Sequence, residues 1–380
     1  MATWQREEIF TDGDAFFSEL EQAIDQATTS IELESYIFRG DRCGQAVVDA
    51  LCRAAARGVR VRVLVDGIGS LGCTAAYEGS FRRAGVALRV FRPVRILELL
   101  GTIIPRPGRP RLLRILRRLN RRNHRKVCLI DRQSAWVGSM NITSEHCPAH
   151  HGAAAWRDTT IMVEGAGLAD LGADFEWVWL TAQPREHRRE RRRLLAARPH
   201  TPELVRLNST RRLRQANFRD LLRRIATARQ RIWITNAYFV PPALLVRALR
   251  NAARRGVDVR LLLPARSDIW FIPLISSAWY YPLLTSGVQV FQYRLSVLHA
   301  KTMLIDSWST VGSSNLNHRS LLHDLEVDIV ATAPATVEKL VLDFTRDVEC
   351  SHALSAPEWR HRPLGVRVVQ QVGLYLRQWL

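Results

Sequence analysis

Two short stretches of this chain say almost the same thing. The first runs His124-Arg125-Lys126-Val127-Cys128-Leu129-Ile130-Asp131 and is followed by Gly138-Ser139-Met140-Asn141. The second runs His299-Ala300-Lys301-Thr302-Met303-Leu304-Ile305-Asp306 and is followed by Gly312-Ser313-Ser314-Asn315. His, Lys and Asp recur at one constant offset, while the Gly-Ser-x-Asn tail is one residue closer in the second copy. Matching side chains that survive a change in turn length mark an internal duplication. Such a chain is expected to fold as two similar lobes about a pseudo-twofold axis, bringing the two His-Lys strands face to face.

Lysine usage singles out the same positions. The chain carries 55 Lys and Arg residues, yet only Lys126, Lys301 and Lys339 are lysine. Two of the three sit where a compact ammonium is specifically required, because Arg and Lys differ in shape and hydration. Each stretch reads as a strand, a tight turn and a second strand. Alternation places His124, Lys126 and Cys128 on one face and Arg125, Val127 and Leu129 on the other. His and Lys then point the same way, about 6 to 7 Å apart. Asp131 and its repeat Asp306 end their strands, where a carboxylate can fix the turn by local hydrogen bonds; their role is read as mainly structural.

The surrounding sequence is duplicated as well. Residues 14–38 read as a helix feeding a strand, followed by an Ala-rich helix over 44–57 closed by Gly58 and a strand over 59–66. A short helix then ends near Gly85, before a strand over 86–91. Residues 232–239, 244–256, 257–263 and 287–291 replay that order. Strands alternating with helices argue for an α/β fold, here two fused lobes that each hold a mixed β-sheet flanked by helices, with one shared active site. The expected organisation is an N-terminal lobe over 1–183, an Arg-rich linker over 184–213, a C-terminal lobe over 214–350 and an amphipathic tail over 351–380.

A net charge of +19 implies a polyanionic partner, either nucleic acid or an anionic lipid surface. With 47% apolar residues, disorder is excluded as the general state of the chain. No uninterrupted apolar run reaches the roughly 18 to 20 residues that span a bilayer, and no signal core follows Met1, so the expected home is the cytoplasm or its membrane face. Leu112, Ile115, Leu116 and Leu119 form a helical stripe among arginines over 110–122, the composition of a helix lying in an anionic interface; packing on the core fits the spacing as well. The aromatic stretch 269–281 is expected to be buried. Residues 366–380 carry helical spacing that suits either an interfacial anchor or a core-covering helix. Six cysteines without a CxxC pair are read as reduced core thiols. His146, Cys147, His150 and His151 invite a zinc reading, but no second ligand pair accompanies them, and no metal or other cofactor is expected.

The paired HxKxxxxD stretches with their GSxN tails resemble the motifs of the phospholipase D superfamily. That resemblance places His124, Lys126, Asp131, His299, Lys301 and Asp306 in the catalytic motif and implies phosphodiester chemistry through a phosphohistidine. A phosphodiester resists attack because its charge repels nucleophiles and its alkoxide leaves poorly. Lys126 and Lys301, with Asn141 and Asn315 and the hydroxyls of Ser139 and Ser313, can form a metal-free phosphate cradle. One imidazole attacks phosphorus while the other protonates the leaving alcohol and deprotonates the incoming one. Each imidazole needs an orienting carboxylate. The family pattern places these at Asp158 and Glu326, and analogy makes His124 the nucleophile and His299 the acid/base.

More of the chain, including residues 54–59, 236–239, 287–291 and 311–316, resembles bacterial cardiolipin synthases of the B-type branch. That resemblance implies transfer of a phosphatidyl group between two phosphatidylglycerol molecules with release of glycerol. It also implies peripheral association with the cytoplasmic face of the bacterial membrane and no nucleic-acid partner. The alternatives are a hydrolase or nuclease using the same two histidines, and a basic scaffold without catalysis.

Overall fold

The structure, a computed structural model, describes residues 2–93, 121–182 and 203–360. Strands β1 (Arg6–Phe10), β2 (Ser30–Ser35), β3 (Arg60–Asp66), β4 (Ala87–Phe91), β5 (Val127–Ile130), β6 (Ser134–Gly138) and β7 (Thr160–Glu164) form a sheet in the order β1-β7-β6-β5-β2-β3-β4. Strands β8 (Val205–Leu207), β9 (Arg231–Thr235), β10 (Asp258–Pro264), β11 (Gln289–Tyr293), β12 (Thr302–Ile305), β13 (Trp308–Gly312), β14 (Val327–Ala331) and β15 (Ser351–Ala353) form another in the order β15-β11-β10-β9-β12-β13-β14-β8. Read from β8, the second order is the first one repeated, with β15 added at the far edge. Both sheets are mixed: β2, β3 and β4 run parallel, and β5 to β7 pair antiparallel. The expected duplicated α/β architecture is borne out.

The repeat unit is longer than the motifs alone suggest. Strand β8 lies inside the segment read as a linker, yet it pairs with β14 just as β1 pairs with β7. Strand β15, at the start of the expected tail, adds to the edge of β11. Backbone pairing, to which charge composition is blind, sets both corrections. The remaining linker residues 184–202, the arginine-rich stretch over 110–120 and the tail residues 361–380 lie outside the described residues.

Helices α1 (Gly13–Gln26), α2 (Arg42–Ala56), α3 (Leu71–Ala84), α4 (Leu168–Ala182), α5 (Arg211–Thr227), α6 (Ala243–Arg254) and α7 (Pro334–Glu349) flank the sheets. Helix α2 starts where the Asp41 carboxylate accepts from the Gly44 N–H, and buries Val47, Val48, Leu51 and Ala54 on one face. Gly58 follows it at φ +92°, as Gly256 follows α6 at φ +89°. That left-handed turn favours glycine, which explains its recurrence.

Alternation along the strands sends side chains into two different cores. Cys128 and Ile130 of β5 join the cluster beneath α1 and α2, whereas Val127 and Leu129 join Val311, Val327 and Ile329 of the other lobe. The two sheets therefore share a central apolar layer, and the HxK segments emerge at its edge.

Asp131 and Asp306 sit at the opposite ends of β5 and β12 from the histidines. Both adopt left-handed backbone, at φ +52° and +51°, which Asp tolerates. Asp131 accepts from the N–H and hydroxyl of Thr28 and of Thr29 and from the Ser30 N–H. Asp306 accepts from the N–H groups of Arg229, Gln230 and Arg231. These contacts suit a structural role, and they reach across to the start of the adjacent strand rather than closing a local turn. Asp131→Ala is expected to lower the free energy of unfolding by about 1–3 kcal/mol in urea titrations, the scale of losing several partly exposed hydrogen bonds; an unchanged midpoint would refute the role.

Candidate active site

The ladder of β5 begins only at Val127. Ahead of it the chain runs extended into the other lobe, where the His124 N–H donates to the Leu325 carbonyl at 3.0 Å and the Leu325 N–H to the Arg122 carbonyl at 2.9 Å. The second copy does the same in mirror fashion, with His299 N–H to Arg157 O at 2.8 Å and Arg157 N–H to Val297 O at 2.9 Å. His124 and Lys126 thus precede the strand into which sequence alternation places them. Each histidine is pinned beside the segment that carries the other lobe's acid.

The carboxylates cross over with the backbone. Nδ1 of His124 lies 3.1 Å from both oxygens of Glu326, and Nδ1 of His299 lies 2.7 Å from Asp158 Oδ2. Each imidazole is oriented by an acid from the other lobe, and all four groups are buried. Ser139 donates to Asp158, and Ser313 donates to Glu326 Oε2 at 2.5 Å. These hydroxyls, expected on phosphate, are committed to the carboxylates. A buried anion needs donors, and the GSxN turn places one within reach. Asn141 and Asn315 accept through Oδ1 from the N–H groups of Ile37 and Tyr238 at 3.3 and 3.2 Å.

The lobes differ at one position. Asn315 N–H donates to Ser320 Oγ at 2.9 Å, and Ser320 donates to Glu326 Oε1 at 2.5 Å. In the first lobe the same place is taken by His146. Its Nε2 accepts from Asn141 N–H at 3.1 Å, which leaves the proton on Nδ1, 3.5 Å from Asp158 Oδ2. His146 is buried 6.2 Å from the His299 ring, and Trp156 packs against both at 5.4 and 5.5 Å. His150 and His151 of the same stretch are exposed. Among the described residues no group of three or more His, Cys, Asp or Glu side chains is arranged to hold a metal ion.

Both ammonium groups enter the site. Lys126 Nζ donates to the His124 carbonyl at 2.7 Å, and Lys301 Nζ donates to the His299 carbonyl. Burial, and the nearness of the other lysine, push Lys126 down to about 7; burial pushes Lys301 down to about 8. Burial and the positive charges of Lys126, Lys301 and His299 together hold His124 far below its ordinary value. His299 falls too, from burial and Lys301, with Asp158 pulling it back up. The acids part company. Burial pushes Glu326 up to about 7 against the pull of Lys126 and two serines. Burial also acts on Asp158, but His299, His146 and Lys301 outweigh it and hold that carboxyl below the usual range.

Tyr36 and Tyr238 form the walls. Tyr36 contacts His124 at 4.8 Å and lies 5.1 Å beneath Lys126; Tyr238 contacts His299 at 6.2 Å and lies 5.9 Å from Lys301. Beneath them, Arg122 is clamped on Asp66 at 2.8 Å, and Asn123 donates to Asp66 through its N–H and to Glu34 through its amide. Sequence reasoning missed these residues. The two tyrosines were within reach, since both follow the first parallel strand of their repeats. His146 was visible only as part of a metal-like cluster.

A family model described as "Cardiolipin synthase, PLD-like domain" matches residues 20–179 and 221–348. In fold, the chain is similar to the phosphatidylserine synthase of Haemophilus influenzae Rd KW20, with a TM-score of 0.72 at 14% identity over 100% of this chain and 96% of that one. Two lobes sharing one histidine-lined site define a phospholipase D-like protein. The chain is 31% identical to a cardiolipin synthase of Geobacillus sp. (strain WCH70), over 97% of this chain and 71% of the relative. It is 35% identical to cardiolipin synthase B of Salmonella typhimurium, over 85% of this chain and 75% of the relative. The chain belongs to the cardiolipin synthase family, phosphatidyltransferases of the phospholipase D superfamily.

The crossed pairing is open to a direct spectroscopic check. Proton spectra are expected to show two downfield Nδ1–H signals; Glu326→Gln and His124→Gln should remove the same one, and Asp158→Asn and His299→Gln the other. The opposite grouping would rule out the crossing.

Proposed function

We propose that the chain moves a phosphatidyl group from one phosphatidylglycerol to a hydroxyl of a second, releasing glycerol, while bound peripherally to the cytoplasmic face of a bacterial membrane. The observation that carries the mechanism is that Nδ1 of each histidine is occupied by a carboxylate, which leaves both Nε2 atoms for the reacting phosphorus. The membership of the family supports the substrate class, and the net positive charge suits a donor and an acceptor that are both anionic. No helix among the described residues is long and apolar enough to cross a membrane.

His124 is the nucleophile. Burial and the neighbouring positive charges keep its imidazole neutral, so its Nε2 lone pair is available to attack phosphorus. His299 faces the firmer anion, Asp158, and is the better proton carrier. A bound phosphate anion, with Asp158 on Nδ1, brings His299 to the imidazolium form; as the His124–phosphorus bond forms, the phosphorus–oxygen bond to glycerol breaks and His299 gives its Nε2 proton to the leaving oxygen. His299, now neutral, takes the proton from the acceptor hydroxyl. That oxygen attacks phosphorus, and His124 departs with its electron pair. Lys126 and Lys301 hold the non-bridging oxygens; a bound phosphate anion raises both ammonium groups back into the charged state. Tyr36, Tyr238 and Trp156 reduce the room for water, which favours an alcohol as acceptor.

His146 belongs to this division of labour, because its Nδ1–H helps keep Asp158 ionised. On the repeat, one lobe runs from β1 to α4 and the other from β8 to β15.

On phosphatidylglycerol vesicles in the presence of EDTA, mass analysis should find cardiolipin and glycerol. Phosphatidic acid as the sole product would overturn the transferase reading and leave the hydrolase. A phosphatidyl ester of p-nitrophenol separates the histidines, because that leaving group needs no proton. His299→Gln is expected to accumulate phosphohistidine and His124→Gln to form none, with turnover falling at least 10³-fold in both. Phosphoenzyme in His124→Gln would reverse the assignment.

A further inference from the structure

Six large apolar side chains stand out as exposed among the described residues: Leu71, Leu244, Trp270, Leu295, Leu322 and Leu342. Five of them lie in segments that leave the strands at the end where the active site opens. Leu71 begins α3, just past the C-terminal end of β3, whose last residue Asp66 holds Asn123 beside His124. Leu244 opens α6, six residues beyond Tyr238. Trp270, 81% exposed, follows Asp268, whose carboxylate accepts from the Tyr238 hydroxyl at 2.5 Å. Leu295 follows β11 and precedes His299 by four residues, and Leu322 precedes Glu326 by four. Only Leu342, on α7, lies elsewhere.

Resting on the phospholipid reading above, we infer that this rim is the surface by which the protein docks onto an anionic bilayer, with Trp270 and its neighbouring leucines entering the interface around the site mouth. The occupant is set by charge as well as by apolarity. Exposed Arg247, Arg266 and Arg294 lie on the same segments, in the first turns of α6 and just past β10 and β11, and exposed Arg42 starts α2, which follows β2. Apolar side chains interleaved with arginine are the composition of a surface that meets lipid tails and anionic headgroups together. The rest of the aromatic stretch behaves differently: Ile272 and Tyr280 are buried, so exposure of Trp270 is local and corrects the expectation that the whole stretch is core. A tryptophan with its ring outside the fold suits the headgroup level of a membrane. Docking through this rim sets the two Nε2 atoms at the depth of the phosphodiester, so a lipid need not leave the bilayer to react.

The test uses the full chain, sedimented with sucrose-loaded vesicles of phosphatidylglycerol. The triple variant Leu71→Ser/Trp270→Ser/Leu295→Ser is expected to partition at least tenfold less than the native protein. Turnover of dihexanoyl phosphatidylglycerol, held below its micelle threshold, should be unchanged. Trp270→Ser alone should lose about threefold, which keeps the inference testable if the triple variant folds poorly. Leu342→Ser should partition normally. The inference is overturned if the triple variant sediments like the native protein, if Leu342→Ser loses as much, or if monomeric turnover falls in step with partition. Should the native protein dock through this rim yet convert no phosphatidylglycerol, the catalytic proposal fails and the docking surface stands.

Discussion

Everything near the site depends on two buried histidine–carboxylate contacts that cross between the lobes. An isolated lobe has an imidazole without its acid and an acid without its imidazole. Burying either alone is costly, since an unpaired carboxylate in a low-dielectric interior has no water to solvate it. The crossing is secured by paired backbone hydrogen bonds, His124 N–H to Leu325 O with Leu325 N–H to Arg122 O, and His299 N–H to Arg157 O with Arg157 N–H to Val297 O. The shared apolar layer between the sheets then holds those segments in register. Fold stability and site assembly are the same event in this protein.

Near-symmetry leaves room for a division of roles. The two acids sit in equivalent places, yet Asp158 is flanked by His146 and His299, whereas Glu326 is flanked by His124 and two serine hydroxyls. A hydroxyl can satisfy a protonated or an ionised carboxyl, while a second imidazole N–H favours the ionised form. The exchange of Ser320 in one lobe for His146 in the other adds to the difference, His299 being the larger influence on Asp158. The same asymmetry separates the two catalytic histidines in the proposed mechanism.

Sequence patterns made much of this legible, for local reasons. The repeated His-x-Lys and Gly-Ser-x-Asn spacing marked the duplication, and recurring glycines after α2 and α6 marked left-handed turns that need them. The scarcity of lysine pointed at Lys126 and Lys301. Where the expectation slipped, the deciding partner was remote. Strand β8 has three residues and declares itself only through β14. Ser139 and Ser313 have hydroxyls suited to phosphate, but a nearer buried anion claims them.

What the sequence determined by itself is the inventory: two lobes, two imidazoles and two ammonium groups at repeated positions, because periodicity and spacing are properties of the chain, with the two acids supplied by the family pattern. What only the tertiary structure decided is who faces whom. That Glu326 serves His124, that Asp158 serves His299, and that His146 stands behind one acid and Ser320 behind the other follow from how two sheets pack, and packing joins residues that no local pattern relates.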